Sequence, residues 1–245
     1  MTLEDMVLSY EVDGMSTNLE AVLGIPEGTG PWPGVMVMHE VFGIDEEMRK
    51  QVAHIASLGY LALMPNLFTE GGMRRCISAT MRALSNGTGR AYADLESARQ
   101  TLLTDPRSTG RVGAIGFCMG GGFALMTADT GFHAAAVNYG ILPKNLESVL
   151  DGACPLVTSY GGRDVTLKNA TAKLDAVLTA KKIPHDSKEY PNAGHVFMNE
   201  KLSGPIAIRP LVRVMNFGPE PESAKDAWKR IAAFFDEHLA EVSAR

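Results

Sequence analysis

The chain of 245 residues is poor in cysteine and has no long apolar run. Its three cysteines, at positions 76, 118 and 154, form no CxxC pair and no cluster with histidine. A disulfide framework and a zinc site are therefore not expected. No apolar run reaches the roughly 18 residues of a membrane span, and the first residues lack a basic segment followed by an apolar stretch. We expect no signal peptide and no membrane partner. The expected location is the reducing cytoplasm.

The chain also lacks a concentration of charge of either sign. Its formal net charge is −5, and acidic and basic residues are interspersed. Nucleic-acid binding is not expected, because it needs a basic stripe or patch. The expected partner is a small molecule, and the expected oligomeric state is a monomer or a small homo-oligomer.

Short apolar runs alternate with longer amphipathic stretches along the chain, without internal repeats. This alternation predicts an α/β fold with a mostly parallel sheet and helices on both faces. No linker interrupts it, so residues 1–245 are predicted to form a single domain. The predicted strands are 7–12, 18–25, 34–39, 60–64, 111–117, 134–139, 155–160 and 187–190, and the predicted helices are 46–58, 90–103, one from 119, 169–180 and 224–239.

The segment Gly116-Phe117-Cys118-Met119-Gly120-Gly121 lies where a predicted strand ends and a helix begins. It matches the GxSxG nucleophile elbow, with cysteine in place of serine. Such a turn exposes the nucleophile near a helix N-terminus, which favours the thiolate. The alternative is a small buried cysteine with no chemical role.

Two later segments supply an acid and a base. Asp164 follows the strand that ends at Tyr160, and His195 follows the strand that ends at Tyr190. The order nucleophile, acid, histidine is that of the α/β-hydrolases, and open α/β sheets build their sites past the carboxyl ends of strands. Taken singly, Asp164 could cap a turn or a helix, and His195 could make a structural hydrogen bond.

These residue types predict nucleophilic catalysis on a carbonyl group. Cys118 would attack to form a thioester, His195 would act as the base, and Asp164 would orient the imidazole. The oxyanion would accept hydrogen bonds from two backbone N–H groups, those of Met119 and of Val41 in the loop after the third strand.

Glu40 precedes Val41 and is a carboxylate in the same loop. It could be a polar strand-end residue that pairs with Arg49. Alternatively, it could lie beside the active thiol.

The chain resembles the dienelactone hydrolase (carboxymethylenebutenolidase) family across nearly its whole length. Four segments carry the resemblance, namely His39-Glu40-Val41-Phe42-Gly43, Gly116 to Gly121, Gly161-Gly162-Arg163-Asp164 and Ala193-Gly194-His195-Val196-Phe197. The resemblance implies a cysteine–histidine–aspartate triad that hydrolyses a small lactone or ester without a cofactor. It also implies that Glu40 pairs with the resting thiol until substrate binds.

The sequence departs from the family at the substrate-binding positions. Prototype members carry an arginine four residues after the histidine, where this chain has Asn199, which offers no charged fork. A second family arginine follows the fourth strand, in the region of Arg74 and Arg75, which could equally be surface residues. The segment 201–221 is either a surface connection or a wall over the pocket; in the latter case Arg209 or Arg213 could supply the missing charge.

The sequence therefore predicts a cofactor-independent hydrolase of a small carboxylic ester or lactone. Two alternatives stay open. The same triad could transfer an acyl group to an acceptor other than water, or the fold could serve a non-catalytic binding protein.

Overall fold

The computed structural model describes residues 1–202 and 216–240. The chain forms an α/β fold whose eight strands make one sheet, in the order β1-β2-β4-β3-β5-β6-β7-β8. Strands β1 and β2, and β2 and β4, pair antiparallel, whereas β3 pairs with β4, and β7 with both β6 and β8, in parallel. The predicted fold class, with a mostly parallel sheet, is confirmed. The chain divides into two compact units, Met1–Ala114 together with Leu239, and Ile115–His238.

In the first unit, β4 is buried along its whole length, as expected where both faces of a strand are covered. Helix α1 packs closely on β2, since a Cβ atom at Gly24 would lie 2.9 Å from Val52 Cγ1. The helix begins after Asp45, whose carboxylate accepts a hydrogen bond from Met48 N at 2.9 Å. The elements of this unit are β1 (Thr2–Val7), β2 (Glu20–Ile25), β3 (Trp32–Met38), α1 (Glu46–Ser57), β4 (Leu61–Pro65), α2 (Met73–Asn86) and α3 (Arg90–Thr104).

Strand β5 (Ser108–Phe117) ends in the second unit. There, β6 and β7 are buried throughout. The last helix is joined to β8 by Arg230, whose Nη2 lies 2.8 Å from Asp186 Oδ1 and whose Nη1 donates to the Tyr190 hydroxyl at 3.1 Å. The other elements are α4 (Met119–Met126), β6 (Ala134–Asn138), α5 (Leu146–Val149), β7 (Leu156–Gly161), α6 (Ala170–Ala180), β8 (His185–Tyr190) and α7 (Pro221–Leu239).

Most predicted elements are present with ends shifted by a few residues, but the prediction of the first strand is wrong. The structure has β1 at Thr2–Val7 and no regular element at residues 8–12. The observed β1 is an edge strand with mostly exposed side chains, so its pairing with β2 depends on the backbone and not on an apolar pattern.

Among the described residues, two helices were not predicted, α2 and the short α5. Helix α2 follows Gly72, whose position offers no side-chain cap.

Within the described part of the chain, no helix is long and apolar enough to cross a membrane. That the chain is a single domain stays a prediction.

Candidate active site

The segment 116–121 forms a tight turn between β5 and α4. Cys118 has φ 54° and ψ −113°, a conformation that side-chain-bearing residues rarely adopt. Its N–H donates to the carbonyl of Asn138 at 3.1 Å, and its carbonyl accepts from Gly122 N at 3.1 Å. The turn is therefore attached on one side to the end of β6 and on the other to the first turn of α4.

Glycine is required around this turn because backbones approach too closely for a Cβ atom. A Cβ at Gly116 would lie 1.9 Å from the carbonyl oxygen of Gly120. One at Gly121 would lie 2.5 Å from the carbonyl oxygen of Asn138, and one at Gly140 would lie 2.4 Å from the carbonyl carbon of Gly121. The glycines predicted to flank the nucleophile thus have a direct steric reason.

Cys118 is the partly exposed cysteine of the three. Its neighbours Phe117 and Met119 are fully buried. Cys76 and Cys154 are buried, and burial raises the pKa of the Cys154 thiol to about 12. Accessibility therefore distinguishes Cys118 as the candidate nucleophile.

Asp164 and His195 are in direct contact. His195 Nδ1 lies 2.5 Å from Asp164 Oδ2, and both side chains are almost completely buried. With Nδ1 donating to the carboxylate, Nε2 is the ring nitrogen left to exchange protons. This is the orientation that a histidine base requires.

The carboxylate of Asp164 stays ionised in spite of its burial. Burial raises its pKa, but the hydrogen bond and charge interaction with His195, together with two hydrogen bonds from Thr166, outweigh that effect and hold the pKa below its usual value. A charged carboxylate in this position is able to stabilise a protonated imidazole.

Backbone hydrogen bonds fasten the loop that carries the histidine to the loop that carries the acid. Arg163 N donates to the carbonyl of Ala193 at 2.9 Å. The other side of His195 pairs with the segment around Phe217, since its N–H donates to Asn216 O at 3.1 Å and its carbonyl accepts from Gly218 N at 2.9 Å. The histidine backbone is therefore held from both directions.

Two aromatic rings pack against the imidazole of His195. The Phe217 ring lies 4.5 Å away and the Tyr139 ring 5.2 Å away, between centroids. Tyr139 directly follows Asn138, the residue whose carbonyl binds Cys118 N. The cysteine turn and the histidine therefore both lie against the end of β6, which brings the three predicted triad residues to one edge of the parallel strands. Phe217 belongs to the segment 201–221, which the sequence indicated as a surface connection or a wall over the pocket, whereas no feature of the sequence singled out Tyr139.

In the first unit, the loop after β3 is held by His39. Leu67 N donates to His39 Nε2 at 3.1 Å, so the ring hydrogen is on Nδ1, which donates to the carbonyl of Glu40 at 2.7 Å. Glu40 itself is buried, and its N–H donates to Met48 Sδ at 3.3 Å. The proposed partner of Glu40, Arg49, forms an ion pair with Asp5 at 2.5 Å.

The predicted substrate-binding residues differ in their exposure to solvent, where the structure describes them. Asn199 is buried, with its N–H donating to Val196 O at 3.2 Å. Arg74 and Arg75 are exposed in the first turn of α2. Arg209 and Arg213, and most of the predicted wall 201–221, lie outside the described residues.

Thr166 is a site residue that the sequence analysis missed. Its N–H and its hydroxyl donate to Asp164 Oδ1, at 2.9 and 2.6 Å. The pattern Asp-x-Thr is typical of a turn closed on an aspartate side chain and would have indicated it. Thr166 also borders an open groove of about 910 Å³ between residues 141–148 and α6.

In residues 1–202 and 216–240, no group of three or more histidine, cysteine, aspartate or glutamate side chains is arranged to hold a metal ion. The chemistry available from the described residues is that of a thiol, an imidazole and a carboxylate.

Comparison with known proteins identifies the family. The model of the dienelactone hydrolase family matches residues 19–239. The carboxymethylenebutenolidase of Pseudomonas putida is 28% identical over 198 residues, covering 76% of this chain and 84% of the relative. That of Rhodococcus opacus is 26% identical over 234 residues, covering 88% of this chain and 85% of the relative.

A solved dienelactone hydrolase from Anabaena variabilis has the same fold. It superposes with a TM-score of 0.70 at 19% identity, covering 97% of this chain and 99% of that one. The chain therefore belongs to the dienelactone hydrolase family and is a hydrolase of carboxylic esters or lactones.

Proposed function

We propose that this protein hydrolyses small carboxylic esters or lactones through Cys118, His195 and Asp164, with a thioester intermediate. The observation that carries the proposal is the buried contact of His195 Nδ1 with Asp164 Oδ2 at 2.5 Å. It is supported by the positive φ of Cys118 in a turn that only glycine neighbours allow.

In the first half of the reaction, the thiol proton passes to Nε2 of His195 and the thiolate attacks the carbonyl carbon. A carbon–sulfur bond forms and the carbonyl π electrons move to oxygen. When the carbonyl re-forms, the carbon–oxygen bond of the ester breaks and the leaving alkoxide takes the proton from His195. The imidazolium formed in between is stabilised by the carboxylate of Asp164.

In the second half, His195 removes a proton from water as the water oxygen attacks the thioester carbon. The carbon–sulfur bond then breaks, the acid product leaves, and the proton returns to the sulfur. Both tetrahedral intermediates carry an oxyanion that needs two N–H donors. Met119, the first residue of α4, offers an N–H that no carbonyl of its own helix can accept, and we assign the second donor to Val41.

We assign Glu40 the role that the family resemblance implies, namely to keep the resting thiol protonated. A carboxylate beside a thiol disfavours its ionisation and so slows its oxidation. Glu40→Gln is then expected to speed alkylation of Cys118 by iodoacetamide in the absence of substrate. An unchanged alkylation rate would remove Glu40 from the mechanism and leave the triad untouched.

The central test replaces the nucleophile. Cys118→Ala is expected to reduce hydrolysis of activated esters by at least about a thousand-fold, because the variant has lost the group that carries the acyl intermediate. The matched control is Cys154→Ala, which removes a buried thiol that stays protonated. The control variant should keep near-wild-type turnover. On treatment with an ester probe, its mass should increase by that of a single acyl group.

Other results would point elsewhere. Hydrolysis by Cys118→Ala at the wild-type rate contradicts the proposal. Products of acyl transfer to added alcohols or thiols in preference to water indicate a transferase on the same triad. If saturating ester probe leaves no adduct on Cys118, the site binds and does not catalyse.

A further inference from the structure

Thr166 makes two hydrogen bonds to one oxygen of the catalytic carboxylate. Its N–H and its hydroxyl both donate to Asp164 Oδ1, whereas His195 Nδ1 contacts Oδ2. Each carboxylate oxygen therefore has its own partner. Rotation of the carboxylate about χ2 would break the contacts on both sides.

We propose that Thr166 is a positioning residue that fixes the Asp164 carboxylate and moderates its basicity toward His195. The inference rests on the proposed function, since it concerns the acid of that triad. Asp164 is only 2% exposed, whereas Thr166 is exposed beside it, and the Thr166 hydroxyl adds a second hydrogen bond to an oxygen that the backbone N–H alone would otherwise bind.

The electrostatic argument follows from the groups that interact with the carboxylate. The titratable groups around Asp164 are His195 and Tyr160, and burial together with the Asp164 charge raises the pKa of the Tyr160 phenol, which stays neutral. A hydroxyl that donates to Oδ1 withdraws negative charge from the carboxylate. Without it the carboxylate is a stronger base and stabilises the imidazolium of His195 more strongly.

The hydroxyl could instead serve substrate, because Thr166 borders the open groove along residues 141–148. The hydrogen-bond geometry favours the positioning role, because the Thr166 hydroxyl oxygen lies 2.6 Å from Asp164 Oδ1, which can only accept its proton. The two roles predict different kinetics, since a substrate contact acts on KM and a positioning contact acts on kcat and on its pH dependence.

The test compares three variants. Thr166→Val keeps the backbone N–H bond to Asp164 and removes only the hydroxyl. Thr166→Ser keeps the hydroxyl. Thr171→Val, on α6, is the matched control, because its buried hydroxyl has no hydrogen-bond partner among the described residues.

For Thr166→Val we expect kcat to fall about ten-fold, the value of one hydrogen bond to a charged group, with KM changed less than about two-fold. The acid limb of the kcat profile should move to higher pH, because the carboxylate of Asp164 then stabilises the protonated imidazole more strongly. Thr166→Ser should restore both quantities, and Thr171→Val should change neither.

A second measurement does not depend on turnover. The proton between His195 Nδ1 and Asp164 should give a downfield NMR signal, which moves in Thr166→Val and stays in place in Thr171→Val. A loss of thermal stability without a shift of this signal or of the acid limb would reduce Thr166 to a structural residue and overturn the proposal. So would a rise in KM alone.

Failure of the proposed function is recognised separately. If Cys118→Ala retains hydrolysis, the triad mechanism is contradicted, independently of the results for the Thr166 variants. If Cys118→Ala is inactive and Thr166→Val behaves as wild type in both measurements, only the role of Thr166 falls.

Discussion

At the residue scale, the environments of two histidines assign them different tasks. His195 has one ring nitrogen on a carboxylate, which is the arrangement that the proposed histidine base requires. His39 has both nitrogens bound to backbone groups and is completely buried. Burial lowers the pKa of His39 to about 4, even though the carbonyl of Glu40 and the charge of Asp45 oppose the shift. His39 therefore stays neutral and connects the turn at 40–43 to residue 67.

The depressed pKa of His39 makes the stability of the fold depend on pH. Between the ordinary value of 6.5 and about 4, the unfolded chain binds a proton that the folded chain does not. The contribution of His39 to stability is thus complete above pH 6.5 and is lost as the pH falls through about 4, with a loss of about 3 kcal/mol.

His39→Asn should flatten this part of the pH dependence, although it lowers stability at neutral pH because Leu67 N loses its acceptor. Urea unfolding from pH 7 to 4 measures both effects. A variant that loses stability with acid as steeply as wild type would exclude His39 as the group responsible.

At the element scale, the junction of β5 and α4 depends on close backbone approach. Gly121 lies in the first turn of a helix, where alanine is preferred by about 1 kcal/mol. A Cβ there would nevertheless lie 2.5 Å from the carbonyl oxygen of Asn138. Sterics should outweigh propensity, because that oxygen belongs to a buried strand end and also accepts from Cys118 N.

Gly121→Ala is therefore expected to destabilise the protein by about 1–3 kcal/mol and to lower kcat, because the strand end and the nucleophile turn must move apart. Gly14→Ala is the contrasting variant. Gly14 has φ 78° and open space around its Cβ position, so only the backbone strain of about 1 kcal/mol applies and kcat should not change. Equal unfolding midpoints for Gly121→Ala and wild type would show that α4 can shift without cost.

Helix α2 is an element that the sequence pattern did not lead us to predict. Its buried residues are Cys76, Thr80, Ala83 and Leu84, which recur at helical spacing but include few large apolar side chains. The sequence also lacks a capping side chain at Gly72. The signals that the prediction overlooked are the helical spacing of these buried residues and Gly87, which ends the helix in the left-handed conformation.

At the scale of the whole molecule, family membership defines the reaction more closely than the substrate. At the position where the family resemblance implies an arginine that binds a substrate carboxylate, this chain has Asn199, which is buried. Arg74 and Arg75 are exposed on α2. We expect a matched pair of esters, one with a free carboxylate and one without, to differ in kcat/KM by less than about ten-fold, since a charged hydrogen bond would give more.

The same pair of substrates tests whether another cation of the protein binds the substrate carboxylate. A preference for the carboxylate above about a hundred-fold would contradict the expectation. The guanidinium responsible would then be found by comparing four variants, Arg74→Gln, Arg75→Gln, Arg209→Gln and Arg213→Gln.

What the sequence determined by itself was local or ordered along the chain. The elbow at 116–121 and the positions of Asp164 and His195 after their strands depend on turn chemistry and strand–helix alternation, which neighbouring residues specify. The predicted start of a helix at residue 46 likewise agrees with α1, which begins at Glu46 after the cap residue Asp45. The exposed edge strand β1 carried no such pattern.

The tertiary structure decided which residues meet. The contact of Asp164 with His195, 31 positions apart, and the packing of Tyr139 on His195 join segments that only the folded sheet brings together. It also separated an accessible thiol, Cys118, from two buried ones, because accessibility depends on what covers a side chain. Thr166 depends on both the sequence and the fold. Its Asp-x-Thr pattern is visible in the sequence, but its proposed role follows only from the contact of His195 with the other carboxylate oxygen of Asp164.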